Sequence, residues 1–241
     1  INIIKKHNIA AIFSSAPPYT SHLIGKKLSK VSGIPWAVDF RDPWTDRFYN
    51  YENSRFFLTE KLDKILEKSV VKSANKCITV SNAISNYFNQ KFDVIHNGYD
   101  ENDFLNLDFT KKNNHVIIRY LGTMTKSQNP KTFFKVVSNL NIVKNEFRIE
   151  LIGNIHPDIK SYIYEKGFNN FITIRAYINH REAIQKMVDS DFLLLVIPDT
   201  EKNQGIVTGK LFEYIRSMTR VLAIGPVDCD ASKIIFETNS G

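Results

Sequence analysis

The 241-residue sequence predicts an α/β protein with two parallel-sheet domains. Three observations carry this expectation. Short runs rich in Ile, Val and Leu alternate with helical periods along the whole chain. Those runs lack polar alternation, as strands buried on both faces do. The alternation then restarts after a polar, aperiodic stretch from Asp100 to Asn114, which puts a domain boundary near residue 108.

The chain opens on what reads as the tail of a helix, Ile3-Ile4-Lys5-Lys6, and closes on an unfinished helical pattern from Ala231 to Ser240. A piece cut at both ends is expected. The first strand reads from Ile9 to Phe13, followed by a loop Ser14-Ser15-Ala16-Pro17-Pro18 and a helix from about Thr20. Leu23, Ile24, Leu28 and Val31 recur at helical spacing, and Gly33 stops that helix. A strand from Trp36 to Phe40 precedes the polar and aromatic stretch Arg41 to Asn53. Leu58, Leu62, Ile65, Leu66 and Val70 then mark a long amphipathic helix. Cys77 to Val80 reads as a strand, Ser81 as an N-cap, Ile84 to Phe88 as a short helix and Phe92 to Ile95 as the next strand.

Beyond the boundary, strands are expected at Val116 to Leu121, Arg148 to Ile152, Phe171 to Ala176, Phe192 to Ile197 and Val221 to Ile224. Helices fall near 130–144, 157–166, 180–190 and 208–218. Strands separated by helices throughout imply βαβ units. Open α/β sheets take ligands at the carboxyl ends of their strands, so the site is expected in a cleft between the two domains.

Composition sets the outer limits. With 43% hydrophobic and 24% charged residues, the usage is ordinary for a globular protein and unlike collagen, rods or disordered chains. The net charge of +7 is evenly spread: residues 1–107 carry 14 basic and 11 acidic side chains, and residues 108–241 carry 18 and 14. Without a basic tail or aromatic-interleaved stripe, no nucleic-acid partner is expected, and anionic phosphates or an acidic membrane surface suit the field better. Cys77 and Cys229 form neither a disulfide framework nor a zinc spacing, which points to a reducing, cytoplasmic setting. No apolar run reaches the roughly 18 residues of a membrane span.

The most informative stretch runs from Gly205 through Thr208, Gly209, Lys210 and Glu213 to Ile215. It follows an expected buried strand and opens a helix. Free N–H groups at the helix start, two glycines and a first-turn lysine make an anion site that suits a diphosphate. Glu213, on the same side of the helix, suits ribose hydroxyls. The spacing fits equally a Thr208 cap with Lys210 and Glu213 as a surface i,i+3 pair.

Gly122 ends a strand whose following loop, Thr123 to Asn129, leads to a helix at Pro130. This repeats the strand, loop and helix-start geometry, although a plain βα turn capped by Asn129 fits as well. Leu151-Ile152-Gly153-Asn154 is another strand running into a turn. His96-Asn97-Gly98-Tyr99 reads as a hairpin turn or, because Asp100 to Asp103 supply no returning strand, as an interdomain turn. In the first half, Asp39-Phe40-Arg41-Asp42-Pro43-Trp44 ends a strand. Asp42 could serve as a base or hydroxyl ligand and Arg41 as a phosphate holder, or the two could form a structural pair. Ser15, Thr20 and His22 share this rim, and His22 reads as an ordinary packing or surface histidine. The triplets Asp189-Ser190-Asp191 and Asp228-Cys229-Asp230 are discounted as metal sites: the first caps a turn, and the second lies in a loop without a third ligand.

In order and spacing, Ser14-Ser15-Ala16-Pro17-Pro18-Tyr19, Asp39 to Trp44, Ile78-Thr79-Val80-Ser81, Val94 to Asp100, Tyr120-Leu121-Gly122, Leu151-Ile152-Gly153 and Lys210 to Tyr214 together resemble the retaining glycosyltransferases of family four. The resemblance covers nearly the whole chain. It implies a GT-B-like fold, two Rossmann-like domains facing a cleft, with residues 1–107 an incomplete acceptor-side domain and 108–241 a truncated nucleotide-sugar donor domain. It implies transfer of a sugar, with retention, to a glycan or lipid-linked acceptor in bacterial surface-polysaccharide assembly. No metal or cofactor besides the nucleotide-diphosphate sugar is implied. The setting implied is cytoplasmic, with peripheral contact to an anionic membrane.

The resemblance assigns the diphosphate to Gly122, Thr208, Gly209 and Lys210, the ribose to Glu213 and the base to Tyr177 and Ile178, and it adds Asn154 to the donor site. Thr123 stands where relatives carry arginine, so Lys126 or Lys210 would supply that charge. Gly205 stands where they carry a first glutamate. Asp42, aided by Arg41, is the catalytic candidate, with Ser15, Thr20, Asn97 and Gly98 on the acceptor side. A nucleotide-sugar 2-epimerase shares the architecture and is a rival reading, and a catalytically silent nucleotide-binding subunit would fit the departures at Gly205 and Thr123.

Overall fold

The computed structural model describes residues 2–45, 56–88, 90–109, 115–140 and 147–241. The far ends of the Arg41–Asn53 stretch and of the helix expected near 130–144, and the last part of the Asp100–Asn114 linker, lie outside them. The chain divides into two compact units, Ile1–Asn97 and Gly98–Gly241.

The first unit runs α1 (Asn2–Lys6), β1 (Ile12–Ala16), α2 (Thr20–Ser32), β2 (Trp36–Phe40), α3 (Phe57–Ser73), β3 (Lys76–Thr79), α4 (Asn82–Ser85) and β4 (Asp93–Val94). Its four strands are parallel, in the order β1-β2-β3-β4. Strand β1 extends through Ser14, Ser15 and Ala16, which sequence reading placed in a loop. Ser14 tolerates burial because its hydroxyl accepts the Trp36 indole N–H at 2.9 Å and meets His22 Nδ1 at 2.8 Å. Helix α2 ends where expected, at Gly33 with φ +74°, whose N–H bonds Ser29 O. Within α2, a Cβ on Gly25 would sit 2.6 Å from Trp36 Nε1, so only glycine allows this helix to press on β2. Ser81 caps α4 by accepting the Ile84 N–H, as its sequence position predicts.

Helix α3 forms as its periodicity predicts, but its stripe is divided. Val70 and Val71 are buried, whereas Leu58, Leu62 and Ile65 are 54–61% exposed. Periodicity identified the helix and misjudged which side faces the core.

The second unit begins with a 3-10 turn, Glu101–Phe104, and continues β5 (Val116–Leu121), α5 (Lys131–Asn139), β6 (Phe147–Ile152), α6 (Pro157–Glu165), β7 (Ile172–Arg175), α7 (His180–Val188), β8 (Phe192–Val196), α8 (Gly209–Arg216), β9 (Arg220–Ile224) and α9 (Asp230–Glu237). All five strands are parallel, in the order β7-β6-β5-β8-β9. Along β8, Leu193 and Leu195 join one core with Leu211 and Tyr214, while Leu194 and Val196 join the other with Phe134 and Ile159. Burial on both faces explains why these strands read as unbroken apolar runs.

The boundary falls at Asn97/Gly98, ten residues before the expected position. Phe104 explains the shift: it is buried in the second unit's core, and Glu101 pairs with Arg216 of α8. Among the described residues, a 3-10 turn (Glu101–Phe104) and no returning strand follows Asn97-Gly98, which removes the hairpin alternative. Both thiols are buried and unbridged, one per unit. Burial, with the nearby Asp93 charge, pushes the Cys77 thiol up to about 11.

His22 is fully buried, with its Nε2 unpartnered and its ring 4.6 Å from that of Phe40. Burial lowers its pKa from 6.5 to about 4. The unfolded chain therefore takes up a proton that the folded unit refuses, and stability is lost as pH falls from 6.5 towards 4, by roughly 3 kcal/mol. Trp36 and Trp44 both lie in this unit's core. Urea titrations followed by tryptophan fluorescence should show that loss, and His22→Gln should flatten the slope between pH 6.5 and 4.

Candidate functional site

The strand order of the second unit reverses at β5, and ligands of such sheets lie beyond the carboxyl ends at this switch. There a cavity of about 200 Å³ is lined by Leu121, Gly122, Ile152, Gly153, Tyr177, Ile178, His180, Ala183, Met187, Lys210 and Glu213. Its floor depends on two glycines. Gly122 (φ +112°) donates its N–H to Ile152 O at 2.9 Å, and Gly153 (φ +129°) donates to Arg175 O at 3.1 Å. A Cβ on Gly153 would meet Gly122 O at 2.3 Å, so the two strand ends approach only because neither bears a side chain.

Lys210 enters over Gly122: a Cβ there would lie 3.3 Å from its Nζ. The ammonium donates to Tyr120 Oη at 3.0 Å and lies 4.2 Å from the centroid of that ring. Tyr120 in turn donates to Thr123 O at 2.5 Å, which turns an oxygen lone pair towards the lysine. Burial lowers the Lys210 pKa from 10.5 to about 8, with the Glu213 charge opposing the shift. Burial likewise raises the Tyr120 phenol well above its usual range. The result is a part-buried cation held by a neutral hydroxyl and an aromatic ring, with no carboxylate of the described residues at ion-pair distance.

Helix α8 positions this lysine by burying Leu211 and Tyr214, and Tyr214 Oη accepts the Leu121 N–H at 3.3 Å. Thr208 occupies the N-cap in extended conformation, yet its side chain caps nothing and its Oγ1 is buried without a hydrogen-bond partner. The plain-cap alternative is therefore set aside. A Cβ on Gly209 would meet nothing within 4 Å, which leaves open space over the helix start. Glu213 bonds His180 Nε2 at 2.9 Å, and His180 Nδ1 lies 3.6 Å from Asp103 Oδ2. An anion entering here would meet the Lys210 ammonium near the positive end of α8.

Of the donor-side candidates, Gly122, Tyr177, Ile178, Lys210 and Glu213 converge on the cavity, with Thr208 and Gly209 at the start of the same helix. Asn154 does not line it: the residue is exposed, its carbonyl accepts the Met124 N–H, and Gly153 takes its place. Thr123 offers Tyr120 its carbonyl, and Lys126 is an exposed side chain 3.3 Å from Asp158. Lys210 is thus the cation at the cavity. Gly205 is buried in the 3-10 turn Asn203–Gly205. Asn129 does not cap α5: the cap position falls on Pro130, and Asn129 Oδ1 is buried without a partner. His180 was missed because its relevance arises from contact with Glu213, 33 residues away in sequence. Gly153 was legible as the second strand-end glycine.

In the first unit, Ser15 Oγ donates to Asp39 Oδ2 at 2.8 Å, and Arg41 Nη1 lies 3.7 Å from the same oxygen. Asp39, rather than Asp42, carries these contacts. Asp42 contributes its backbone oxygen to Tyr19 Oη at 3.0 Å. Thr20 opens α2 with an exposed side chain, and Gly98 begins the second unit. The acidic triplets behave as structural groups: Asp191 accepts the Ile117 N–H at 2.8 Å, Asp189 accepts from Gln185, and Asp230, expected in a loop, is buried as the first residue of α9. Among the described residues no group of three His, Cys, Asp or Glu side chains is placed to hold a metal, and no helix is long and apolar enough to cross a membrane.

The fold is that of the GT-B glycosyltransferases, two Rossmann-like parallel-sheet units. Sucrose-phosphate synthase from Thermosynechococcus elongatus is similar with a TM-score of 0.67 and 15% identity, over 94% of this chain and 59% of that one. Anabaena HepE in complex with UDP is similar with a TM-score of 0.65 and 12% identity, over 99% and 70%. WaaG, a glycosyltransferase involved in lipopolysaccharide biosynthesis, has a TM-score of 0.62 and 12% identity, over 92% and 67%. The chain thus spans less than two thirds of the synthase it resembles. No protein-family profile and no curated sequence matches it.

Gly153→Ala should destabilise the second unit by at least about 2 kcal/mol, from backbone overlap and unfavourable φ together. Urea unfolding followed by circular dichroism should show the loss, while the tryptophan transition of the first unit stays in place.

Proposed function

We propose that this chain binds a nucleoside-diphosphate sugar in its second unit and acts in transfer of the sugar to a glycan or lipid-linked acceptor. The observation that carries this reading is the Lys210 ammonium, brought by the first turn of α8 over Gly122 and held by Tyr120, in a cavity floored by Gly122 and Gly153. These groups suit a diphosphate. Glu213, held by His180, suits the ribose hydroxyls, and Tyr177 and Ile178 suit a face of the base. The resemblance to HepE, whose structures hold UDP and UDP-glucose, supports the donor class.

In this mechanism the bond between the anomeric carbon and the diphosphate breaks, and charge develops on the leaving phosphate oxygen. Lys210 and the α8 dipole stabilise that charge where water is excluded, with no divalent metal required of the chain. The acceptor hydroxyl attacks on the face the leaving group vacates and passes its proton to the departing phosphate oxygen, which retains configuration. Asp42 and Arg41 are the first unit's candidates for steering that step. Gly122, Gly153, Thr208 and Gly209 complete the donor side in this reading, and Ser15, Thr20, Asn97 and Gly98 the acceptor side. Bacterial surface-polysaccharide assembly at the cytoplasmic membrane face is the setting we favour, consistent with WaaG among the similar structures.

Thermal shifts with UDP, GDP, dTDP, ADP and CDP test the reading, because a ligand at 100 times its Kd adds about 2.7 kcal/mol. One nucleotide should stabilise the chain, and Lys210→Ala should weaken that nucleotide at least ten-fold. Raising pH from 7 to 9 carries the Lys210 site through its pKa of about 8 and removes the cation. Affinity should therefore fall about ten-fold in the wild type and remain flat in Lys210→Ala. Binding without sugar transfer by the full-length protein would favour a silent subunit, for which Gly205 gives a reason: no side-chain carboxylate stands there. Failure of every nucleotide to bind the full-length protein would end the proposal.

A further inference from the structure

One imidazole at the cavity stands between two carboxylates drawn from distant parts of the second unit. His180 Nε2 donates to Glu213 Oε1 of α8 at 2.9 Å, and its Nδ1 lies 3.6 Å from Asp103 Oδ2 of the 3-10 turn Glu101–Phe104. The backbone prepares this position. His180 is the first residue of α7, and the Asn179 side chain fixes that helix start by accepting the Glu182 N–H at 2.9 Å. Ile184, Met187 and Val188 of the same helix are buried, which anchors α7 to the core. His180, Ala183 and Met187 follow at helical spacing and all line the cavity, so one stripe of α7 forms its wall. The turn carrying Asp103 is anchored too, by buried Phe104 and by the pairing of Glu101 with Arg216 of α8.

What these anchors hold is Glu213. Lys210, one turn earlier on α8, is engaged with Tyr120, so the bond from His180 is the one that fixes the glutamate. It occupies Oε1 and leaves Oε2 of a cavity-lining carboxylate without a hydrogen-bond partner among the described residues. We infer that His180 is a positioning residue: it sets Glu213 to accept ribose hydroxyls, so that the site selects a ribonucleotide over a nucleotide whose sugar lacks them. A long flexible side chain left unheld loses rotamer freedom each time it binds, whereas one pinned at one oxygen presents the other already in place. A carboxylate committed to a hydroxyl rejects the analogue without it, because the carboxylate is then left unpaired. The inference rests on the donor reading above and goes beyond it by assigning the selection to a residue that acts through Glu213. A plain surface ion pair would hold the same side chains together and leave the choice of nucleotide unaffected.

Calorimetric titration of the full-length protein with UDP, GDP, ADP and CDP, each beside its analogue lacking both ribose hydroxyls, reads the selection directly. In the wild type the ribonucleotide that binds should be favoured at least about ten-fold over its analogue, the worth of a hydrogen bond to a charged group. His180→Ala should bring that ratio close to parity. His180→Gln, whose amide can place an N–H where Nε2 stood, should recover most of it. Glu213→Ala should also reach parity, and adding His180→Ala to it should weaken the ribonucleotide no further, because the histidine acts through the glutamate. Urea unfolding followed by circular dichroism checks that each variant keeps the second unit folded. A ratio that survives His180→Ala, no recovery in His180→Gln, or further weakening in the double variant would overturn the inference. Parity in the wild type would do the same while leaving the donor reading in place, whereas no binding by any of the four nucleotides ends both.

Discussion

The second unit's site depends on a backbone approach that excludes side chains. Gly153 and Gly122 touch so closely that a single Cβ would overlap a carbonyl oxygen. That contact brings the ends of β5 and β6 to a common level and clears the space above Gly122 that the Lys210 ammonium fills. The cavity floor follows from it, and so does the room over Gly122 into which α8 delivers the lysine, where burial depresses its basicity. A cation kept away from bulk water by a tyrosine ring and hydroxyl costs free energy in the empty site, and an arriving anion offsets that cost. In the proposed reading, that electrostatic cost prepares the site for an anionic donor.

The first unit solves a similar problem with neutral groups. Trp36, Ser14 and His22 form a buried chain of hydrogen bonds between β1, β2 and α2, and Gly25 removes the one side chain that would separate helix from strand. Ser14 and the Trp36 indole are compatible with a core because each finds a partner, whereas the outer nitrogen of His22 has none. The two units thus bury opposite kinds of nitrogen: one holds a charge with its affinity still unspent, and the other refuses charge altogether.

Much of this was legible in sequence where local pattern and tertiary environment agree. The apolar runs of β5 to β9 are buried on both faces, so their lack of alternation was a faithful signal. Gly122, Lys210 and Glu213 were readable because strand-end glycines and helix-start cations have local causes. What escaped reading has non-local causes. The extension of β1 through two serines requires Trp36 and His22 as partners, and the significance of His180 requires Glu213. At the end of β6 the geometry needs no side chain, so Gly153, not the neighbouring Asn154, lines the cavity. Helix α3 shows the limit of periodicity most plainly: spacing reports that apolar residues share a side, not what lies opposite that side.

The two buried cysteines have a practical meaning. Each unit contains one thiol, neither is bridged, and Cys77 sits well above the range in which a thiolate forms at neutral pH. A thiol reagent meets them only when the surrounding structure opens. Alkylation at Cys77 therefore counts openings of the first unit and alkylation at Cys229 counts those of the second. The folded chain carries a pair of native clocks, one for each half, that run at the rates at which the halves come apart.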